Sequence, residues 1–446
     1  MLEYLRLSGV GPAPALEAVF ADRLNLITGD NGLGKSFLLD IAWWVLSRTW
    51  TGLPARPQPA HLHDAEIGFS FHGRAKRTTY VSRYDRFAQA WRGKPGRPAN
   101  PGLVLYAQVD GGFAVWDPAR NYWRREDGGE GRERPAAYLF KPGEVWNGLR
   151  GPDIQNTAST LDSDPLGLFA FQPRYYCNGL IADWAGWQRE NGEHFEQLCR
   201  ALATLSPSPD EVLVPGPLVR INLNDARDIP TIRMPYGQDV PVLHASAGMK
   251  RVLAMAYLLV WTWQEHVRAS ELLGQEPARQ IVFLIDEIEG HLHPRWQRRV
   301  FRAVLEVMNA LLQRDDVQVQ IVAATHSPLI LASLEPLFDE RRDRIFDLEL
   351  VPVPDAAARV ELHTLPWRRR GEADNWLTSE LFGLKSARSL EAEQLIEAAA
   401  DVMATGDAAV NAERARDLDR RLRQVLGDTD PFWLRWRYVG ERQGWL

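Results

Sequence analysis

The sequence predicts an α/β fold organised around a largely parallel sheet, and three stretches carry that expectation. Leu24-Asn25-Leu26-Ile27-Thr28 reads as a short buried strand that runs into a glycine-rich turn and then an apolar helix over Ser36 to Leu46. Ile281 to Ile285 is a continuous apolar run. Val317 to Ala323 alternates through Gln318 and Gln320 before turning fully apolar, so its start is expected to be the less buried end. Strand, helix, strand in that order builds a parallel sheet covered on both faces.

The remaining elements follow in chain order. Residues 2–10 read as a first strand, separated from the strand at 24–28 by a loop. From about 61 to 125 short alternating segments succeed one another: Glu66 to Phe71, Thr78 to Val81, Val104 to Ala107 and Phe113 to Trp116. They are expected as antiparallel strands, broken by Pro/Gly stretches at 94–102 and 126–135. Residues 180–205 are expected to be helical, ending at Ser206-Pro207-Ser208-Pro209, and a mostly buried helix is expected from Met249 to Trp263. After Trp367-Arg368-Arg369-Arg370 the pattern is helical again, with Leu395, Ala399 and Val402 on one face, then Leu418, Leu422 and Val425 on another. There is no internal repeat.

Composition narrows the class. The chain has 446 residues, 45% of them apolar and 25% charged, which suits a soluble globular protein with two or three domain-sized units. No apolar run reaches the length of a membrane span, and the first residues lack a signal-peptide pattern. Two cysteines, Cys177 and Cys199, make no disulfide framework and no metal cluster, so a reducing cytoplasm is the expected compartment. A net charge of −6 does not advertise nucleic-acid binding, although the cations are nearly all arginine and can gather on one face. The 17 tryptophans read chiefly as core or interface anchors.

Chemistry enters with Gly29-Asp30-Asn31-Gly32-Leu33-Gly34-Lys35-Ser36, which matches G-x-x-x-x-G-K-[ST]. Gly29, Asn31, Gly32 and Gly34 let backbone N–H groups turn in around phosphate oxygens, Lys35 reaches the β/γ-phosphates of ATP, and Ser36 ligates Mg²⁺. The apolar strand at 281–285 ends in Asp286-Glu287. Asp286 can hold the Mg²⁺ water shell, and Glu287 can orient and deprotonate an attacking water. More than half the chain separates Lys35 from Asp286, a gap that points to an ABC-type arrangement with an inserted lobe. His244-Ala245-Ser246-Ala247-Gly248 lies just before the acidic strand and at the start of a helix, where Ser246 and the N–H groups at Ala247 and Gly248 offer donors to a γ-phosphate. Thr325-His326-Ser327-Pro328 ends the second strand, and His326 there can hydrogen-bond a γ-phosphate.

With these four motifs in order, the chain resembles the ABC-like ATPases of the SMC and OLD type, particularly compact AAA-family ATPases of bacterial anti-phage and DNA-maintenance systems. The shared-looking stretches are Asn178-Gly179-Leu180-Ile181, the Ser246 loop, Asp286-Glu287-Ile288-Glu289-Gly290-His291-Leu292-His293-Pro294 and Ala324-Thr325-His326-Ser327-Pro328. The resemblance is strong over roughly residues 1–50 and 240–335 and weak elsewhere. It implies an α/β fold: a P-loop ABC-type ATPase head with a mixed sheet, an inserted antiparallel β/helical lobe and a C-terminal helical region. The expected divisions are 1–60 and 210–365 for the two halves of the head, 61–209 for the inserted lobe and 366–446 for the helical region. It places His291 and His293 at a dimer interface rather than on a metal. It calls for a glutamine loop, for which Gln155 and Gln172 are candidates.

The same resemblance implies a mechanism and partners. Two heads stack head to tail, so that each ATP lies between Lys35 of one copy and Ser246 of the other. Binding ATP assembles the homodimer and hydrolysis at Glu287 releases it. Asp347 and Glu349 are too few acids for a metal nuclease, so an effector in trans, a nuclease, is expected, with DNA as a possible ligand and no membrane. The alternatives are the ATPase subunit of a membrane transporter and an ATP-clipped structural scaffold. Trp433, Trp436 and Trp445 are a candidate docking surface or a helical cap, and Arg368 to Arg370 a candidate phosphate contact or a solvated loop.

Overall fold

Leu2, Leu5 and Leu7 turn one face of β1 (Leu2–Ser8) inward, while Arg6 stays exposed. Its hairpin partner β2 (Ala15–Val19) occupies part of the stretch read as a loop, where the same alternation is compressed into five residues. β3 (Leu24–Gly29) then leads through the glycine-rich turn into α1 (Lys35–Ser47). β4 (Glu66–Phe71), β5 (Tyr80–Asp85) and β6 (Ala90–Arg92) complete a five-stranded antiparallel sheet in the order β2-β1-β4-β5-β6. The computed structural model describes residues 1–72, 79–92, 100–121, 135–151, 154–155, 171–172, 175–312, 317–354, 357–405 and 408–445, so most of both Pro/Gly stretches lies outside the described residues.

β3 itself belongs to a second, eight-stranded sheet. The other members are β7 (Leu103–Ala107), β8 (Phe113–Trp116), β9 (Tyr138–Phe140), β10 (Gln280–Asp286), β11 (Gln318–Ala324), β12 (Asp343–Val351) and β13 (Arg359–Leu365). The order is β13-β12-β3-β11-β10-β7-β8-β9. The five central strands are parallel, and antiparallel strands flank them at both edges. The stretch expected as a separate inserted lobe therefore contributes strands to both sheets. β7 pairs antiparallel with β8 but parallel with β10, which local alternation cannot foretell.

α1 lies in the hydrophobic core shared by the sheets. Leu38, Ile41, Ala42 and Trp43 join Leu2, Leu5 and Leu7 of β1 and Val104, Val282, Val322 and Phe346 of the large sheet in one buried cluster. The start of β11 is its less buried end, as expected, but burial begins within the polar alternation, at Gln320. Gln318 is exposed, but Gln320 is fully buried, and its amide accepts from the Leu2 N–H (2.8 Å) and donates to the carbonyls of Leu2 (2.7 Å) and Ala21 (2.8 Å). Gln320 marks a bridge between the two sheets, whereas Gln318 faces solvent.

The helical stretch at 180–205 is two helices, α2 (Leu180–Glu190) and α3 (Glu193–Thr204), broken where Asn191 takes a left-handed backbone before Gly192. α4 (Ala247–Leu272) outruns the apolar segment that announced it, and α5 (Val300–Leu312) is the longer helix between β10 and β11.

The chain divides into two compact units, Met1–Arg369 and Arg370–Leu446. The second contains α6 (Leu390–Thr405), α7 (Ala408–Val425) and α8 (Phe432–Gln443). Its core holds Leu395, Ala399, Val402, Leu418 and Leu422 as expected; Val425 is exposed and Leu426 takes the inward place. Trp433, Trp436 and Trp445 are buried in that same core. They are the unit's own packing and not a docking surface. Among the described residues, no helix is long and apolar enough to cross a membrane.

Candidate functional site

The register of the large sheet brings the functional segments to one level. Asp286 of β10 pairs with Ala324 of β11, Ala324 pairs with Ile27 of β3, and Ile285 pairs with Ala107 of β7. The phosphate loop, Thr325-His326, Asp286-Glu287 and Gln108 thus leave the carboxyl ends of adjacent parallel strands, where open α/β sheets hold their ligands.

Glycine is required at two points of the loop. Gly29 has φ 128°, and a Cβ there would stand 2.4 Å from the Leu348 carbonyl oxygen; Gly34, at φ 101°, would place one 2.7 Å from Pro12. Gly34 is the N-cap of α1, with no side chain on the first amides and no acid in the first turn, so those N–H groups are left for an anion. Gly32 and Asn31 are exposed on the loop. Lys35 is buried, and its Nζ donates to the carbonyls of Gly29 (2.8 Å) and Asp30 (3.1 Å), curled inside the loop that it would share with phosphate.

Ser36 donates a hydrogen bond to Asp286, joining the loop to the acidic strand. Asp286 is 2% exposed, and desolvation, with Glu287 and Asp40 close by, pushes its carboxyl up to about 6. Its Oδ1 is buried without a protein partner among the described residues. A buried carboxylate with a free oxygen beside a serine hydroxyl suits an oxygen-seeking divalent cation such as Mg²⁺.

Glu287 has a positive φ of 45°, held by its own N–H to the Ala324 carbonyl (3.1 Å). Its carboxylate Oε1 lies 3.4 Å from His326 Nδ1. Glu289 is the residue whose role motif spacing did not expose. It is buried, accepts from Thr325 Oγ1 (2.6 Å) and from the His326 N–H (2.9 Å), and so fixes the turn that presents His326. Its signal was its place as the third acid of the run that begins at Asp286, the last residue of β10.

Gln108 is the second such residue. It follows β7 at the level of Asp286, beside the end of the acidic strand, and the apolar run before it was the available clue. Gln155 and Gln172 lie instead on a separate two-stranded ladder, Ile154–Gln155 with Phe171–Gln172; their side chains lie outside the described residues.

Ser246 is exposed and caps α4, its hydroxyl accepting from the Met249 N–H (3.3 Å). Gly248 is buried, and a Cβ there would meet the His291 carbonyl oxygen at 2.5 Å. Arg251, one turn on, donates to the carbonyls of Asp286 (2.9 Å), Val109 (3.0 Å) and Gln108 (3.4 Å). One guanidinium thus ties the start of α4 to the acidic strand and to the Gln108 turn. His293 caps the short helix Pro294–Gln297 through Nδ1.

Residues 187–332 match the family model described as "AAA domain, putative AbiEii toxin, Type IV TA system". That segment carries an AAA-type ATPase domain. The ATPase is 20% identical over 331 residues to "Septu protein PtuA" of Bacillus thuringiensis, an alignment covering 74% of this chain and 72% of that protein. It is 24% identical over 148 residues to "Retron Vc95 probable ATPase" of Vibrio cholerae serotype O1 biovar El Tor, covering 32% of this chain and 26% of that one. Among solved structures it is similar to the "SMC head domain from Thermotoga maritima", at 14% identity and a TM-score of 0.37 over 82% of this chain and 99% of that one.

Proposed function

We propose that this ATPase closes as a dimer around ATP and uses hydrolysis to time its release, so controlling an effector in trans that acts on DNA or invading phage, a nuclease by preference. The observation that carries the reading is the split of one constellation: Lys35, Ser36, Asp286, Glu287 and His326 converge at the strand ends, while Ser246 stands exposed on its helix cap.

In this reading Lys35 releases the Gly29 and Asp30 carbonyls to take the β/γ-phosphates, and the uncapped α1 amides receive the remaining oxygens. Ser36 and Asp286 would hold Mg²⁺, which neutralises charge developing on the phosphoryl oxygens. Glu287 accepts the proton of the attacking water, and His326, beside it, donates to the γ-phosphate oxygen. The partner copy supplies its exposed Ser246 and the positive end of α4 to the same phosphate, so the site is complete only between two copies. DNA-dependent turnover belongs to this proposal. A response to membrane alone would favour the transporter alternative.

Light scattering with ATP tests the assembly step. Glu287→Gln is expected to hold a nucleotide-bound dimer, and Lys35→Ala to remain monomeric. A Glu287→Gln protein that binds ATP yet stays monomeric would overturn the reading.

A further inference from the structure

Away from the phosphate loop, α2, α3 and α4 enclose a cavity of about 230 Å³ whose polar groups the ATPase reaction does not use. Its floor is an ordered relay. Asn178 Nδ2 donates to Asp183 Oδ1 (2.8 Å), Tyr257 OH donates to Asp183 Oδ2 (2.7 Å), and the Cys177 thiol lies 3.0 Å from that hydroxyl. Burial pushes the Cys177 thiol up to about 12, so it stays protonated and donates to Tyr257. Two donors therefore fix the Asp183 carboxylate, and each oxygen keeps a lone pair.

The lining also carries Arg268, His194 and Gln264. Arg268 stands at the rim with its side chain 61% exposed, held only loosely at 3.7 Å from Glu265. His194 Nε2 is buried without a hydrogen-bond partner among the described residues, and its ring lies against Trp187 at 5.6 Å. Desolvation, with Arg268 nearby, lowers the His194 pKa and keeps the imidazole neutral. Gln264 donates an amide N–H to Gln197 (2.6 Å) and presents an amide that can also accept. The two acids Asp183 and Glu265 are matched by Arg268 and by Arg120, which lies 3.7 Å from Glu265. A fully charged ligand gains little from such a balance. A neutral flat one with donors on one edge and acceptors on the next gains most.

We propose that this cavity binds a nucleobase of that pattern, guanine, with its ring and exocyclic N–H donors toward Asp183 and its acceptor edge toward Arg268. Arginine paired with the guanine acceptor edge, and carboxylate paired with amino donors, are the favoured side-chain matches to those groups. The base can arrive as a free nucleoside or within a single strand. Trp261, Gln264, Glu265 and Arg268 lie on one face of α4, the helix that begins at Ser246, so occupancy presses on the signature helix. That last step rests on the proposed ATPase cycle; the binding does not.

Isothermal titration on Lys35→Ala protein, whose phosphate loop is disabled, separates the two. Guanosine and a short guanine-containing single strand are the probes, and inosine, lacking the 2-amino group, and adenosine are the controls. Guanosine is expected to bind saturably and at least about tenfold more tightly than either control, and Asp183→Asn or the rim variant Arg268→Gln to weaken it by a similar factor. Binding of the strand but not the nucleoside would assign the base to nucleic acid. No binding of either probe, equal affinity for inosine, or unchanged affinity in both variants that melt like the parent would overturn the proposal.

Discussion

At the scale of single residues, the site trades stability for chemistry. Asp286 holds its proton up to about pH 6 in the folded chain, against roughly 4 for an ordinary carboxyl. Its contribution to stability is thus fully present below about pH 4 and lost as the pH rises through 6. At pH 7 Asp286→Asn should stabilise the nucleotide-free protein by about 2–3 kcal/mol, read from chemical denaturation, while abolishing Mg²⁺-dependent ATP binding. The parent's Mg²⁺-dependent affinity should in turn weaken as the pH is lowered through about 6. Glu289 makes a different prediction. Without its carboxylate Thr325 and the His326 N–H lose their acceptor, so Glu289→Ala should lower kcat by roughly tenfold or more with little change in KM. Glu289→Gln keeps an acceptor and should retain most activity. Equal losses in both variants would show that charge, rather than placement of His326, is what Glu289 supplies.

At the scale of elements, two polar side chains join pieces that local patterns treat separately. Gln320 fastens β11 to the end of β1, and Gln320→Ala leaves three backbone groups without that partner. We expect a loss of about 3 kcal/mol in urea unfolding. Arg251 links the first turns of α4 to Asp286 and Gln108, so Arg251→Met should preserve ATP binding but reduce turnover by about tenfold. Turnover unchanged in Arg251→Met would make the contact structural only. The sequence announces β3, α1 and β10 clearly, because a glycine loop with Lys35 and an apolar run ending in paired acids have few other uses. β2 and the parallel pairing of β7 stay hidden. Strand partners far apart in the chain leave no local trace, and a buried glutamine looks like a solvated one until its three partners are seen.

At the scale of the whole molecule, the motifs fix what converges and leave open what assembles. The order of four strands puts Lys35, His326, Asp286 and Gln108 side by side, and the motif spacing foresaw all but the last. The tryptophans of the second unit left two readings open in the sequence, because burial against its own helices and docking on a partner share one composition. The claim that two copies build each site has a direct measurement. Lys35→Ala protein lacks a working phosphate grip but keeps Ser246; Ser246→Arg protein keeps the grip but blocks the neighbour's phosphate. Each alone should be inactive, and mixing them should restore ATP hydrolysis, because the mixed dimer contains one intact pocket. A mixture as inactive as its components, with dimers present by light scattering, would contradict the shared pocket.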